Sequence, residues 1–412
     1  MSVFHELRNR GFIKQCTDEN AVLARLDRDC VTYYAGFDPT ANSLHVGSLV
    51  PIMVMAHLQR AGHRPIVIIG GSTGLIGDPS GKSEMRKMLD EEVVEKNANS
   101  IRAQISQYLV LDGVKGLALN NNQWFRDLRY VAFLCDIGRY FKVNEMLRNE
   151  GYRLRMEREE GLSFIEFNYQ LMQAYDFLHL FREYECTLQV GGDDQWGNIL
   201  AGTNLVQKIE HENVFGLTFP LLSTSRGNKM GKTESGTVWL DKEKTSPYEF
   251  YQYWVNTEDA DVLRFLKLFT FLSLDEIFEL SRLEGANIRK AKEVLAYEVT
   301  VLAHGEKEAS RAQKSSRVVF GSMSGESDSV PTTQIPASKI SRGISVVEMS
   351  VFIGLTQSNS EARRLIKQRG LSINGQPVSS PEQVITVTDF SSENGCLIRK
   401  GKKTFHRLIL MG

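Results

Sequence analysis

The stretch VTYYAGFDPTANSLHVGSLVPIMVMAHLQRAGHRPIVIIG, residues 31–70, decides the fold. Its β-branched and aromatic beginning, residues 31–35, is typical of a strand, and residues 64–69 are typical of another. Between them, apolar residues recur at helical spacing over 48–61 until a glycine stops them. A strand, a helix and a second strand in that order predict a parallel pair with a right-handed crossover. We therefore expect an α/β fold built on a Rossmann-like, doubly wound parallel sheet.

The composition is that of a folded chain with a large core. The 412 residues, 42% apolar and 24% charged, predict about two to four domains. A net charge of −1 gives no overall reason to expect nucleic acid. From Ser341 to the end, however, ten Lys or Arg stand against five Asp or Glu, a net charge of +5. A basic tail on an acidic body indicates a polyanionic partner.

Sequence patterns divide the chain into four parts. Signals for strands and helices alternate up to residue 245, and helical patterns alone fill residues 246–320. Residues 321–344 are rich in Ser, Gly, Thr and Pro, which predicts a flexible linker. Apolar patterning resumes over residues 345–412, which predicts a small α+β domain.

The five cysteines are scattered, and none forms a C-x-x-C pair. Neither a zinc site nor a disulfide framework is therefore predicted. No signal-peptide core occurs, and no apolar run is long enough to span a bilayer. We expect a cytoplasmic protein without membrane association, protein-bound metal or organic cofactor.

A glycine-rich loop, GGSTGLIGDPSGKS at residues 70–83, follows the second strand. A P-loop requires four residues between its first glycine and its Gly-Lys-Ser, whereas only three residues separate Gly77 from Gly81. The glycines of this loop do not match the G-x-G-x-x-G fingerprint of dinucleotide-binding folds either. This spacing opposes a P-loop NTPase, and a tight turn without a ligand is the structural alternative.

Two other segments have the chemistry of phosphate binding. FDPTANSLHVGSL, residues 37–49, places Thr40 and His45 just before a helix for which Ser48 is the predicted N-cap. RGNKMGKT, residues 226–233, carries two lysines in a glycine-flanked loop that could close over a leaving group. An ordinary loop histidine and a solvated surface loop are the alternatives for these segments.

Together, the two segments resemble the HIGH and KMSKS signatures of class I aminoacyl-tRNA synthetases. The first departs at Ser48, where histidine is common, and in the second Gly231 and Thr233 replace serines. Four longer stretches then resemble bacterial-type tyrosyl-tRNA synthetases, and the similarity extends from Leu7 over nearly the whole chain. These stretches are YYAGFDPTANSLHVG (33–47), GGSTGLIGDPSGK (70–82), FIEFNYQLMQAYD (164–176) and VGGDDQWGN (190–198).

The resemblance implies an ATP-dependent tyrosine–tRNA ligase. The tyrosine carboxylate would attack the α-phosphorus of ATP, whose phosphates hold Mg²⁺, and tyrosine would pass from the adenylate to the terminal ribose of tRNA(Tyr). The implied tyrosine-binding residues are Tyr34, Asp78, Tyr169, Gln173, Asp176 and Gln195. The implied ATP-binding residues are Gly36, Asp38, Thr40, His45, Gly47, Ser48, Gly192, Asp194, Lys229, Met230, Lys232 and Thr233. The implied catalytic residues, which face the leaving pyrophosphate, are Thr40, His45, Lys82, Arg86, Lys229 and Lys232.

The resemblance also assigns roles to the four parts of the chain. Residues 1–245 become the catalytic domain, with an inserted dimer-interface region at about 115–165, and residues 246–320 the helical anticodon-side domain. The aromatic-rich segment 124–147 is compatible with a core helix or with a contact surface, and the resemblance implies that it pairs two copies in a homodimer. SEARRLIKQRGLSINGQPV, residues 360–378, resembles the S4 RNA-binding fold. Its predicted RNA contacts are Arg363, Arg364 and Lys367.

Two further functions compete with this one. An RNA-binding module could use the basic tail without catalysis. A tryptophan enzyme would share the fold, but Tyr34 and Asp176 favour a phenol over an indole. Amino-acid-dependent exchange between ATP and pyrophosphate separates these possibilities.

Overall fold

A computed structural model describes residues 2–80, 89–157, 161–227, 230–233, 236–283, 285–320, 331–340, 343–390, 395–401 and 404–411. The chain forms two compact units. The first comprises Met1–Asp241 and Glu258–Arg282, and the second comprises Lys242–Thr257 and Leu283–Gly412.

The α-helices of the described residues follow in chain order. They are α1 (Val3–Arg10), α2 (Glu19–Arg28), α3 (Leu49–Arg60), α4 (Thr73–Ile76), α5 (Glu91–Ile105), α6 (Asn122–Phe125), α7 (Tyr130–Asp136), α8 (Val143–Met146), α9 (Glu150–Met156), α10 (Phe164–Tyr184), α11 (Trp196–Glu210), α12 (Pro247–Val255), α13 (Asp259–Phe269), α14 (Leu274–Ser281), α15 (Ile288–His304), α16 (Glu306–Phe320), α17 (Ala337–Ile340), α18 (Val346–Phe352) and α19 (Asn359–Lys367). Short 3₁₀ turns cover Val46–Ser48, Gly138–Tyr140, Asp193–Gln195, Gly285–Asn287 and Val387–Asp389.

The strands are β1 (Gln15–Cys16), β2 (Thr32–Phe37), β3 (Arg64–Ile69), β4 (Leu117–Asn120), β5 (Cys186–Gly192), β6 (Phe215–Phe219), β7 (Lys232–Thr233), β8 (Gly236–Thr237), β9 (Thr332–Pro336), β10 (Ile344–Ser345), β11 (Leu371–Ile373), β12 (Gln376–Pro377), β13 (Val384–Ile385), β14 (Cys396–Lys400) and β15 (Thr404–Met411). The predicted strand–helix–strand unit is confirmed, because β2, α3 and β3 follow one another and the strands pair in parallel.

A six-stranded sheet organises the first unit, in the order β1-β6-β5-β2-β3-β4. All neighbours pair in parallel except β1 and β6, which are antiparallel. From β2 the chain proceeds outward to β3 and β4, and then returns to place β5 on the opposite side of β2. This reversal makes a crevice at the carboxyl ends of β2 and β5, where open α/β sheets bind ligands.

Helix α10 lies beside this crevice and has a well-defined beginning. The Ser163 hydroxyl accepts from the backbone N–H of Glu166, and the Glu166 carboxylate accepts from the backbone N–H of Ser163. This capping box satisfies backbone groups that a helix end leaves open. A buried ion pair of 3.0 Å between Arg155 and Glu166 adds to it. The capping box and the ion pair therefore fix the beginning of the helix that carries predicted tyrosine contacts.

Residues 123–149 do not form one continuous helix. The structure breaks them into the short helices α6, α7 and α8. Gly138 begins a 3₁₀ turn after α7, and Lys142 takes an extended conformation before α8. Glycine weakens a helix, and an extended residue ends the ladder of helical hydrogen bonds, so a continuous helix cannot form here.

The predicted boundary at residue 245 does not match the packing of α13 and α14. Both helices belong to the first unit, although the sequence pattern assigned residues 246–320 to one helical domain. Arg10 in α1 donates to the carbonyls of Lys267, Thr270 and Leu272, at or just beyond the end of α13. Since a helix leaves its last carbonyls without partners, this buried guanidinium holds α13 onto the first unit.

The second unit contains α12, α15 and α16 together with the C-terminal domain. A five-stranded sheet in the order β12-β11-β14-β15-β9 organises that domain. Strand β9, which lies within the predicted linker 321–344, pairs in parallel with β15, and Ile335 is buried in its core. The linker prediction is therefore too long, because an apolar side chain among polar ones anchors residues 332–336. Residues 321–330 lie outside the described part of the chain.

Candidate active site

A cavity of about 320 Å³ occupies the crevice at the carboxyl ends of β2 and β5. All of the predicted tyrosine-binding residues line it, although they come from β2, the glycine-rich loop, α10 and the turn before α11. Predicted ATP-binding residues that also line it are Gly36, Asp38, Gly47, Ser48, Gly192 and Asp194. The tertiary structure thus assembles a single cavity from segments that are far apart in sequence.

One end of the cavity holds polar groups around Asp176. The Trp124 indole donates to Asp176 Oδ1 over 2.8 Å, and Asn121 Nδ2 donates to Asp176 Oδ2 over 3.3 Å. Burial raises the pKa of the Asp176 carboxyl to about 8, although both hydrogen bonds favour its ionised form. A buried carboxylate of this kind gains from any further hydrogen-bond donor.

The Tyr34 hydroxyl lies at the same end. It is fully buried and has no hydrogen-bond partner among the described residues. Burial raises the pKa of Tyr34 well above its usual range, so the hydroxyl keeps its proton. Gln189, which pairs with Tyr34 across β2 and β5, also has an unpartnered buried oxygen among the described residues. Unpaired buried polar groups are rare, and here they mark a place for a polar ligand atom.

The middle of the cavity is lined by acceptors. Asp78 accepts from Gln195 Nε2 over 2.6 Å and from the backbone N–H of Ser80 over 2.9 Å. Asn198 donates to Gln173 Oε1 over 3.1 Å, which turns that amide's oxygen toward it. The Asp78 carboxylate and the fixed amide oxygen of Gln173 are acceptors of the kind that a ligand ammonium group requires.

Asp38 connects the two sides of the crevice. Its carboxylate accepts from the Tyr169 hydroxyl and from Thr73 Oγ1, both over 2.9 Å. On the β5 side, burial and the neighbouring Asp78 carboxylate raise the pKa of Asp194 to about 6. Carboxylates on both sides can therefore accept hydrogen bonds from the hydroxyls of a sugar.

The turn after β2 differs from its prediction in one respect. Ser48 does not act as an N-cap: its backbone is helical, and its side chain makes no capping hydrogen bond. His45 takes this place, because its Nδ1 accepts from the backbone N–H of Gly47 over 2.9 Å. The 3₁₀ turn Val46–Ser48 continues directly into α3, which moves the start of the helical segment toward His45.

The second signature lies against the first. A Cβ atom on Gly47 would approach the Met230 carbonyl oxygen to 3.3 Å and the His45 ring to 2.7 Å. Val238 joins the two segments, since it donates to the Gly231 carbonyl and accepts from the backbone N–H of Val46. Only glycine allows so close an approach at position 47.

Other predicted residues lie outside the cavity lining or outside the described residues. Thr40 and His45 are exposed and do not line the cavity itself. Lys82, Arg86 and Lys229 are not among the described residues, and only the backbone of Lys232 and Thr233 is described. Sequence reasoning missed Asn121, Trp124 and Gln189. Their place depends on the pairing of distant strands, and the one available signal was that a buried tryptophan N–H needs a partner.

The predicted dimer segment is only partly buried. Trp124 and Ile137 lie in the core, whereas Tyr130, Val131 and Val143 are 60%, 69% and 59% exposed. Phe164, at the beginning of α10, is also 69% exposed. The insert thus presents large apolar side chains at its surface.

The predicted RNA contacts lie on α19. Arg363, Arg364 and Lys367 are exposed, while Ala362 and Ile366 face the core of the C-terminal domain. Lys400 lies nearby and forms an ion pair of 2.8 Å with Glu361. The amphipathic helix therefore leaves its basic face open.

Neither a metal cluster nor a membrane span is found in the part of the chain that the structure describes. No group of three or more His, Cys, Asp or Glu side chains there could hold a metal ion. No helix of those residues is long and apolar enough to cross a bilayer.

Comparisons with known proteins agree with this cavity and fold. The family model of class I tRNA synthetases (W and Y) matches residues 27–321, and that of the tyrosine–tRNA ligase SYY-like C-terminal domain matches residues 323–408. The fold and the site thus define a class I tRNA synthetase.

Relatives with known names show to which family of class I tRNA synthetases the chain belongs. The tyrosine–tRNA ligase of Clostridium kluyveri is 52% identical over 411 residues, covering 99% of each chain. That of Acetivibrio thermocellus is 48% identical over the full length of both. A solved C-terminally truncated mitochondrial tyrosyl-tRNA synthetase from Aspergillus nidulans has a TM-score of 0.70 at 34% identity, over 77% of this chain and 94% of that one. The chain belongs to the tyrosine–tRNA ligase family, as its sequence motifs predicted.

Proposed function

We propose that this protein activates L-tyrosine with ATP and then transfers tyrosine to the 3′-terminal adenosine of tRNA(Tyr). The observation that carries this assignment is the buried Tyr34 hydroxyl, which lies beside the Asp176 end of the cavity and has no hydrogen-bond partner among the described residues. A tyrosine phenol would donate to the Asp176 carboxylate and accept from Tyr34. A phenylalanine ring would leave the buried Tyr34 hydroxyl without this partner and would offer no further donor to Asp176, which Trp124 and Asn121 already hold. An unsatisfied buried hydroxyl costs more than the absence of the hydrogen bond alone.

The ammonium group of the substrate would lie at the middle of the cavity. Asp78 supplies the charge there, and Gln173 Oε1 and the oxygen of Tyr169 supply further acceptors. Gln195, held by Asp78 and Asn198, would lie next to the substrate carboxylate. This orientation directs the carboxylate toward the turn between β2 and α3, where the α-phosphate of ATP would bind.

ATP would bind along the crevice between the two signatures. Gly36, Gly47 and Gly192 allow close approach, and Asp38 and Asp194 would accept from ribose hydroxyls or position the residues that do. The tyrosine carboxylate is itself the nucleophile, so the protein contributes position and charge rather than a covalent intermediate. Thr40, His45, Lys82, Arg86, Lys229 and Lys232 would stabilise charge on the leaving pyrophosphate. Met230 and Thr233 would act from the same loop, and Mg²⁺ would enter on the phosphates of ATP.

The C-terminal domain would hold the tRNA. Its S4-like character remains an interpretation of the sequence, supported by the exposed basic face of α19. Arg363, Arg364 and Lys367 would contact phosphates, and such contacts fix position and supply much of the affinity.

A homodimer in the cytoplasm completes the proposal. The exposed apolar side chains within residues 115–165, which include Tyr130, Val131, Val143 and Phe164, are of the kind that isologous contacts bury. The cytoplasmic location is a prediction from the sequence alone.

The purified protein tests the activity directly. Pyrophosphate exchange into ATP should depend on tyrosine and should be far weaker with phenylalanine or tryptophan. Exchange that prefers tryptophan, or that needs no amino acid, would overturn the assignment. Asp176→Ala should abolish exchange or raise the KM for tyrosine by on the order of 10²-fold, because the phenol loses its hydrogen bond to a buried carboxyl group.

A further inference from the structure

Trp124 donates a hydrogen bond to Asp176, so the position of the Asp176 carboxyl depends on the orientation of the Trp124 side chain. It lies on α6, a helix of four residues. So short a helix makes few hydrogen bonds of its own and cannot fix the direction of a large side chain. The indole must be oriented by what packs against its face.

His179 packs against that face. The two rings are stacked, with centroids 4.3 Å apart and planes 25° from parallel. His179 stands one helical turn after Asp176 on α10, so both project from the same side of that helix. The indole is therefore held in two directions, its N–H edge by Asp176 and its flat face by His179.

We infer that His179 is a positioning residue for tyrosine selection, because it keeps the Trp124 indole N–H directed at Asp176. This inference rests on the proposed role of Asp176 in binding the phenol. When the N–H occupies Oδ1, the carboxylate is fixed in rotation, and its remaining lone pairs face the substrate. Without the stacked ring, Trp124 can tilt, and Asp176 loses its shorter hydrogen bond.

The surroundings favour a stacking role over a charged one. Burial lowers the pKa of His179, which favours the neutral form of the ring. Tyr175 and Tyr184 also lie near the imidazole, with ring centroids at 6.4 and 6.5 Å, but neither is stacked on it. A flat neutral ring at position 179 is what the packing requires.

The test compares His179→Ala with His179→Phe, which keeps a flat ring, and with Glu183→Ala, an exposed position on the next turn of α10. Steady-state exchange gives the KM for tyrosine, the KM for ATP and kcat, and the same assay with phenylalanine gives selectivity. We expect His179→Ala to raise the KM for tyrosine about three- to tenfold and to lower selectivity over phenylalanine, since an aromatic pair is lost. The kcat and the KM for ATP should change by less than about twofold, as for a substitution remote from the nucleotide.

The conservative variant separates positioning from general stability. His179→Phe and Glu183→Ala should keep the parent's KM for tyrosine. A parent-like KM in His179→Ala overturns the inference, and so does an equal loss in His179→Ala and His179→Phe. The variant Asp176→Ala separates a failure of the inference on His179 from a failure of the proposed phenol site. If it impairs tyrosine activation while His179→Ala does not, only the inference fails, and if it leaves activation intact, the proposed phenol site fails as well.

Discussion

Gln195 donates from Nε2 to Asp78 Oδ2 over 2.6 Å, which joins the turn before α11 to the glycine-rich loop 117 positions earlier. Asn198 donates to the other end of the same amide over 3.2 Å, so the orientation of Gln195 is set from both sides. The two segments that resemble family motifs are thereby tied together at the point where the substrate's ammonium and carboxylate groups would lie.

Gln195→Ala should raise the KM for tyrosine by about tenfold, because Asp78 loses a hydrogen bond to its charge and the substrate carboxylate loses a neighbour. The KM should be measured by pyrophosphate exchange. Gln207→Ala, on the exposed face of α11, is a matched control and should behave like the parent. An unchanged KM in Gln195→Ala would contradict this role.

Asp194 should make stability depend on pH. Its pKa is raised from 3.8 to about 6, so the folded protein binds this proton more tightly than the unfolded chain does. The contribution is therefore fully present below about pH 4 and is lost as the pH rises through about 6. Relative to Asp194→Asn, the parent's free energy of unfolding should fall by about 2 kcal/mol between pH 4 and pH 7, allowing for partial exposure. Urea unfolding across this range measures it, and a constant difference between parent and variant would refute it.

Lys232→Ala should act on the transition state. We expect the rate of adenylate formation to fall by on the order of 10²–10³, comparable to the loss of one preorganised charge donor. Tyrosine affinity should hardly change, because the lysine would face pyrophosphate. Rapid-quench measurements at saturating tyrosine give the rate. An unaltered rate would remove Lys232 from the catalytic set.

The homodimer should depend on the apolar surface of the insert. Val131→Asp places a charge on a 69% exposed apolar position, and burying that charge in an interface without a partner is unfavourable. In sedimentation at micromolar concentration, the parent should be a dimer and Val131→Asp a monomer. Val114→Asp, at a 79% exposed position before β4, should stay dimeric. A monomeric parent would disprove the dimer, and a dimeric Val131→Asp would place the interface elsewhere.

The two half-reactions should separate at the C-terminal domain. Truncation after Gly325 should leave pyrophosphate exchange nearly intact while transfer to tRNA falls sharply. Because Tyr248 of α12 packs against Phe405, truncation also exposes an apolar surface. The combined variant Arg363→Ala, Arg364→Ala, Lys367→Ala keeps that packing and is the cleaner test.

This combined variant should weaken tRNA charging, because phosphates of the tRNA would no longer be neutralised by these side chains. The slope of log affinity against log salt should decrease by about one for each phosphate that no longer has a basic partner. Equal charging of tRNA by the parent and both variants would exclude the C-terminal domain as an RNA anchor.

The sequence by itself determined the elements and the family. The period of apolar residues predicted α3 and the strands β2 and β3, because burial of one face imposes a helical or extended spacing on the chain. Motifs that lie within one turn, such as His45 to Ser48, could be recognised because their chemistry is local. The same local signals failed where composition misled, as in β9 and in the division of residues 246–320.

Only the tertiary structure decided which distant groups meet. Strand β4 pairs with β3, and this places Asn121 and Trp124 against Asp176 more than 50 positions later. Arg10 holds α13 on the first unit, and His45 rather than Ser48 caps the turn after β2. No periodicity encodes such contacts. They depend on the sheet order and on the need of each buried polar group for a partner, and both are satisfied only when the whole chain is folded.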